Sequence, residues 1–190
     1  MAEHVDILIS GAGIAGLTTA AAFGQAGFSV LLVDPSPPVE QGSDPAADLR
    51  STAYLPPSRA LFEQIGLWDV LSPHAVRLDA LRIIDTTGTP PEITETRTFE
   101  PSDLDEDTFG WNLPNWLTRR ELAAAIARQP GVELALGTGF AAMLQRSREA
   151  IVTLSDKRQI RARLVIGADG RASPVREAAG IAVQTQRYGQ

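Results

Sequence analysis

The chain has 190 residues, with 17 Lys or Arg against 23 Asp or Glu and a net charge of −6, which is long enough for one sizeable core and a second small lobe. An acidic chain without a dense basic patch is a poor nucleic-acid binder, because neutralised phosphates supply most of that affinity. It contains no cysteine and two histidines, His4 and His74, which removes disulfides, thiolate catalysis and Cys-ligated metals.

The histidines stand in no metal-ligand spacing, so no metal is expected. Met1 to His4 carry no basic stretch, so the apolar run after them reads as a core strand and not as a secretion signal. No apolar run approaches the roughly 20 residues of a membrane span. The composition therefore suggests a soluble, cytoplasmic protein.

Val5 to Ile9 is a β-branched apolar run ending at a glycine cluster, the pattern of a buried strand. Ile14 to Ala26 is rich in Ala and Leu, lacks proline and is followed by Gly27, so a helix with a glycine stop is expected. Ser29 to Val33 is a second apolar strand. Strand, crossover helix and strand within about 30 residues make a βαβ unit with parallel strands.

The turn between the first strand and the helix is Gly11-Ala12-Gly13-Ile14-Ala15-Gly16, a G-x-G-x-x-G sequence in its informative context. Gly11 allows the tight turn, Gly13 lets backbone approach a pyrophosphate, and Gly16 lets the helix pack closely on the sheet. The helix N-terminus then offers free N–H groups and a partial positive charge. Asp34 ends the second strand, where a carboxylate can accept from ribose hydroxyls. These features do not separate NAD from FAD.

Pro35 to Pro45 reads as a loop. Ser58 is placed to cap a helix through Arg59–Ile65 that stops at Gly66, and Leu81 to Ile84 and Phe109 to Leu117 suggest strands. The acidic residues Glu100, Asp103, Asp105, Glu106 and Asp107 between them read as a solvated loop. Thr118 to Glu121 matches a capping box opening a helix to Arg128, with Arg119 and Arg120 as surface residues of its first turn. Val132 to Leu136 is a strand, and Ala150–Leu154 with Gln159–Arg163 form a hairpin about Asp156-Lys157. Leu164 to Ile166 is a further apolar strand running into Gly167-Ala168-Asp169-Gly170, with a helix after Pro174.

Two segments carry a resemblance. Asp48-Leu49-Arg50-Ser51-Thr52-Ala53-Tyr54-Leu55, running into Leu61 to Trp68, resembles the second FAD signature of the ubiquinone-biosynthesis hydroxylases. These form a branch of the class A flavoprotein monooxygenases that includes para-hydroxybenzoate hydroxylase. Gly167 to Arg176 resembles the same family's G-A-D-G-x-x-S-x-V-R motif. The resemblance implies an α/β fold: a Rossmann-like FAD-binding domain with a parallel sheet and a β-meander, plus part of a β-rich substrate lobe. It assigns residues 1–72 and 119–180 to a discontinuous FAD-binding domain, and 73–118 with 181–190 to a partial substrate domain.

The resemblance also implies roles. Arg50 lies near the flavin cofactor, and a guanidinium suits a diphosphate; without the resemblance it reads as a surface residue pairing with Asp48 or Glu63. Asp169 and Gly170 lie by the ribityl–pyrophosphate region, in a motif that also serves the nicotinamide nucleotide. Asn115 stands where relatives carry a polar FAD contact. Phe140 falls at a backbone contact near the adenine end, while its side chain reads equally as core.

The implied enzyme reduces FAD with NADH or NADPH and then uses O2 to hydroxylate a phenol, notably a polyprenylated quinone precursor. Its expected partners are therefore the phenolic substrate and O2. A quinone-biosynthesis complex, peripheral attachment to the inner membrane and an oligomer built on unpaired strand edges stay open. No catalytic side chain stands out, since the hard chemistry belongs to the cofactor. An FAD-dependent reductase or halogenase of the same fold, and a non-catalytic nucleotide-binding fragment, are the rival readings.

The family's third flavin signature, a Gly-Asp-Ala-Ala-His-type segment, is absent. The chain therefore reads as truncated, with Arg187-Tyr188-Gly189-Gln190 at the entry to further strands. Weak retention of FAD is the corresponding expectation.

Overall fold

The computed structural model describes residues 3–187, so the last three residues of the expected strand entry, Tyr188 to Gln190, lie outside the described residues. The chain divides into two compact units, Met1–Glu40 with Arg119–Gln190, and Gln41–Thr118.

The first unit is built on β1 (Glu3–Ser10), α1 (Ile14–Gln25) and β2 (Val30–Asp34). β8 (Val132–Leu136), β9 (Phe140–Gln145), β10 (Ala150–Leu154) and β11 (Gln159–Gly167) complete a six-stranded sheet in the order β8-β2-β1-β11-β10-β9. The first four of these run parallel, and β11, β10 and β9 form an antiparallel meander. The expected hairpin arm Gln159–Arg163 and the expected strand Leu164–Ile166 are one continuous strand: its first part pairs with β10, while from Ile160 to Gly167 it pairs with β1.

Leu8, Leu31, Val33, Val152, Leu154, Ile160 and Ala162 form a fully buried cluster, which explains the near-continuous apolar reading of the central strands. Register sets the strand ends level. Ser10 lies opposite Val33 on one side and Gly167 on the other, so the turns leaving β1, β2 and β11 gather at one edge, where open α/β sheets bind ligands.

The second unit holds an antiparallel sheet, β3 (Ser51–Tyr54), β7 (Gly110–Pro114) and β4 (Val76–Leu78), in the order β3-β7-β4. α2 (Pro56–Gln64) and α3 (Trp68–Leu71) accompany it, and β5 (Leu81–Thr87) pairs with β6 (Glu92–Phe99) as a separate hairpin. The Tyr54 and Phe62 rings meet edge to face at 5.3 Å, and Trp68 and Trp111 at 5.5 Å. The acidic residues Glu100, Asp103, Asp105, Glu106 and Asp107 are all exposed, and Pro101–Leu104 form a short 3-10 turn among them.

Two helix starts differ from the sequence reading. α2 begins at Pro56, with Leu55 as its N-cap, because paired prolines suit a first turn whose N–H groups have no partner anyway. Ser58 lies inside that helix. α4 (Asn115–Ile126) begins directly after β7. Thr118 is therefore within its first turn, where the hydroxyl donates to the Pro114 carbonyl at 2.9 Å in place of capping. Among the described residues no helix is long and apolar enough to cross a membrane, and no group of three or more His, Cys, Asp or Glu is placed to hold a metal.

Candidate cofactor site at the ends of β1, β2 and β11

The glycine loop and the Gly167–Gly170 turn abut. Gly11 has φ +108°, and a Cβ built on it would stand 2.3 Å from the Ala168 carbonyl oxygen and 2.8 Å from the Asp169 nitrogen. Only glycine meets both demands, the left-handed conformation and the missing side chain. A Cβ on Gly16 would lie 1.9 Å from the Gly11 carbonyl oxygen and 3.3 Å from the Ala168 Cβ. That contact seats α1 against the loop and the turn together.

Gly13 is different. A Cβ there would meet nothing within 4 Å, so its bareness leaves open space and relieves no internal clash. Gly13 is also the N-cap of α1, with no side-chain cap hydrogen bond. The first-turn N–H groups, including those of Ile14 and Ala15, are therefore available to an external acceptor.

Two carboxylates flank this opening. Asp34 ends β2 and is fixed from three directions: Oδ2 accepts from the Ala12 N–H at 2.6 Å, Oδ1 accepts from the Ser36 N–H at 2.8 Å, and the Arg119 guanidinium lies 3.3 Å from Oδ1. Arg119 also donates through Nε to the Ala12 carbonyl at 2.7 Å and through Nη2 to the Ser36 carbonyl. The sequence reading placed Arg119 among surface residues. With the α4 start moved to Asn115, it instead points into the loop, and its side chain is only 25% exposed.

Asp169 follows β11. Its Oδ2 accepts from the Ser10 hydroxyl at 3.3 Å and from the Val175 N–H at 3.2 Å, the latter in α5 (Pro174–Ala178). Oδ1 is buried and has no hydrogen-bond partner among the described residues. A buried carboxylate oxygen without a donor is costly, and a ligand hydroxyl would satisfy it. Gly170, at φ +85°, turns the chain away beside it.

Phe140 opens β9, and its side chain packs against the buried cluster around Leu8 and Val152, the core role weighed for it. Arg50 and Asn115 belong to the second unit. Arg50 makes a two-pronged ion pair with Asp48, at 2.8 Å and 2.7 Å, and its side chain is 84% exposed. Asn115 accepts from the Thr52 hydroxyl at 2.6 Å and donates to Asp48 Oδ2 at 3.1 Å. The Asp48 carboxyl is held well below the usual carboxylate range, first by Arg50 and then by Asn115.

An uncapped helix N-terminus, a glycine with free space before it and a buried acceptor without a donor fit a bound dinucleotide, with its diphosphate at α1 and its sugar hydroxyls at the strand ends. Residues 4–189 match the family model described as FAD binding domain, and the chain belongs to that family. Its curated relatives include hydroxylases. The ubiquinone hydroxylase UbiL of Rhodospirillum rubrum is 34% identical over 97% of this chain and 42% of its own length. The 3-demethoxyubiquinol 3-hydroxylase of Escherichia coli is 30% identical over 99% of this chain and 47% of its own.

Among solved structures, PqsL of Pseudomonas aeruginosa superposes with a TM-score of 0.72 at 26% identity, covering 98% of this chain and 48% of that one. The flavin-dependent monooxygenase PieE, solved with FAD and substrate, shares the fold at a TM-score of 0.76 and 23% identity, over 95% of this chain and 33% of its own. The chain thus spans less than half the length of these two curated relatives.

Proposed function

We propose that this chain is the FAD-binding portion of an NAD(P)H- and O2-dependent monooxygenase that hydroxylates a phenolic ring, with a polyprenylated quinone precursor as substrate. The carrying observation is the junction of the glycine loop with the Asp169 turn, where Gly11 touches Ala168 and Asp169 and the buried Asp169 Oδ1 awaits a donor. The ubiquinone hydroxylases among its relatives support the substrate class.

In this reading the loop from Gly11 to Gly16 and the N-terminus of α1 receive the cofactor diphosphate. Asp34 accepts from the adenosine ribose, and Arg119 holds that carboxylate in place. Asp169 and Gly170 serve the ribityl end. FAD, when bound, supplies hydride acceptance and oxygen activation; the protein binds, orients and excludes water. In the overall reaction one atom of O2 enters the ring and the other leaves as water. Two electrons come from NADH or NADPH.

The test is expression from the whole reading frame, followed by a visible flavin spectrum and assays of NADH or NADPH oxidation and O2 uptake with prenylated phenols. Phenol-stimulated oxidation with a hydroxylated product is the expected result. A protein with no flavin spectrum and no oxidation with any phenol would remove the proposal.

A further inference from the structure

Ser10 is an anomaly in its strand. It is the last residue of β1, 4% exposed, at the end of an otherwise apolar buried run from Ile7 to Ile9. A hydroxyl in such a place is unfavourable unless it is hydrogen-bonded, and an aliphatic side chain would avoid the cost. Here it is bonded: Ser10 Oγ donates to Asp169 Oδ2 at 3.3 Å. The backbone strengthens the same junction, since the Ala168 N–H donates to the Ser10 carbonyl at 2.7 Å.

We infer that Ser10 is a positioning residue for FAD, acting through Asp169; the inference rests on the FAD reading above. Ser10 and the Val175 N–H both engage Oδ2. Two donors on one oxygen fix the plane of the carboxylate and turn the other oxygen, Oδ1, toward a donor on the cofactor. Ser10 stands immediately before Gly11, so the hydroxyl also ties the carboxylate to the start of the diphosphate loop. Without the hydroxyl, Asp169 keeps one anchor and rotates, and the cofactor must order it on binding.

The experiment compares Ser10→Val with Ser10→Thr, which have nearly the same shape and differ in the hydroxyl, alongside Asp169→Asn. The dissociation constant of FAD is measured by titrating flavin fluorescence, and circular dichroism melts verify folding. Ser10→Val is expected to weaken FAD about tenfold, the equivalent of one lost hydrogen bond to a charged group. Ser10→Thr should stay within about threefold of the native chain, and adding Ser10→Val to Asp169→Asn should cost nothing further. Should Ser10→Val fail to fold, Ser10→Ala takes its place.

If Ser10→Val and Ser10→Thr weaken binding alike, or neither does, while Asp169→Asn still weakens it, Ser10 only packs and the inference falls with the FAD reading intact. If the native chain shows no saturable FAD binding, or Asp169→Asn leaves it unchanged, the reading itself falls and takes the inference with it.

Discussion

Arg119 and Asp34, far apart in the sequence, form an ion pair at 3.3 Å with side chains only 25% and 16% exposed. The same guanidinium donates to the carbonyls of Ala12 and Ser36, so one side chain joins the start of α4, the glycine loop and the end of β2. Truncating it takes a donor from two carbonyls and the cation from a carboxylate that keeps its two backbone donors. Arg119→Ala should cost about 1–3 kcal/mol in urea denaturation, and Arg119→Lys should recover only part, because an ammonium lacks the planar fork. A double-mutant cycle with Asp34→Asn should give a coupling of at least ~0.5 kcal/mol. Strict additivity would show that the two residues do not act together.

Two of the motif glycines, Gly16 and Gly13, should separate stability from binding. Gly16→Ala drives a methyl to 1.9 Å from a backbone oxygen, and rigid backbone cannot yield cheaply, so a loss of ~3 kcal/mol or more is expected. Gly13→Ala meets open space, and its φ of −73° and ψ of 176° suit any residue. Its stability should stay within about 1 kcal/mol of the native chain. Its FAD affinity should nonetheless fall at least roughly tenfold, since the methyl occupies the approach of the diphosphate. Thermal melts and flavin titrations on the same samples decide it: a Gly13→Ala chain that binds FAD normally contradicts the placement.

Much of the first unit was legible because its signals are local and strong. The apolar runs of β1 and β2, the glycine spacing between them and the Asp169 turn each follow from a few adjacent residues. Arg119 was not legible, because Thr118 and Glu121 match a capping box that the chain does not use. The box fails here since β7 ends at Pro114 and α4 starts at once, a boundary set by pairing with β3 and not by Thr118. The strands β3, β4, β6 and β9 went unread for a different reason. β6, Glu-Ile-Thr-Glu-Thr-Arg-Thr-Phe, is exposed along nearly its whole length and so has no buried alternation to detect. β9, Phe-Ala-Ala-Met-Leu-Gln, is composed of good helix formers held in a strand by its pairing with β10. Ser10 was hidden as well, since only the meeting of two strand ends gives its hydroxyl a partner.

In the second unit, Asn115 and Arg50 share Asp48 but should differ in weight. Asn115 is half-buried and links Asp48 to the Thr52 hydroxyl, whereas the Arg50 side chain is 84% exposed to solvent. Exposed ion pairs contribute about 0–1 kcal/mol, so Arg50→Ala should leave chemical denaturation nearly unchanged. Asn115→Ala removes the acceptor of the Thr52 hydroxyl and one of the donors to Asp48, both partly buried contacts, and should cost about 1–2 kcal/mol. Hydrogen exchange in Ser51–Tyr54 should rise with the second substitution and hold steady with the first; the reverse order would overturn the ranking.

Acid should act on the first unit through Asp6. Its carboxylate accepts from the Ser29 N–H at 3.0 Å, the Ser29 hydroxyl at 2.8 Å and Arg163 at 2.9 Å. The Ser29 backbone bond foremost, then Arg163, lower its pKa to about 2. A carboxylate depressed in the folded state binds its proton more readily in the unfolded chain, where the value is about 3.9. Its contribution is therefore complete above about pH 4 and lost as pH falls through the folded value near 2. Asp6→Asn should lower the urea midpoint at pH 7, and the gap between the two proteins should close between about pH 4 and 2 as the native carboxylate takes up its proton. Midpoints measured across that range carry the test. A gap that stays constant with pH would mean that the hydrogen bonds of Asp6 act through shape alone and that its charge contributes nothing.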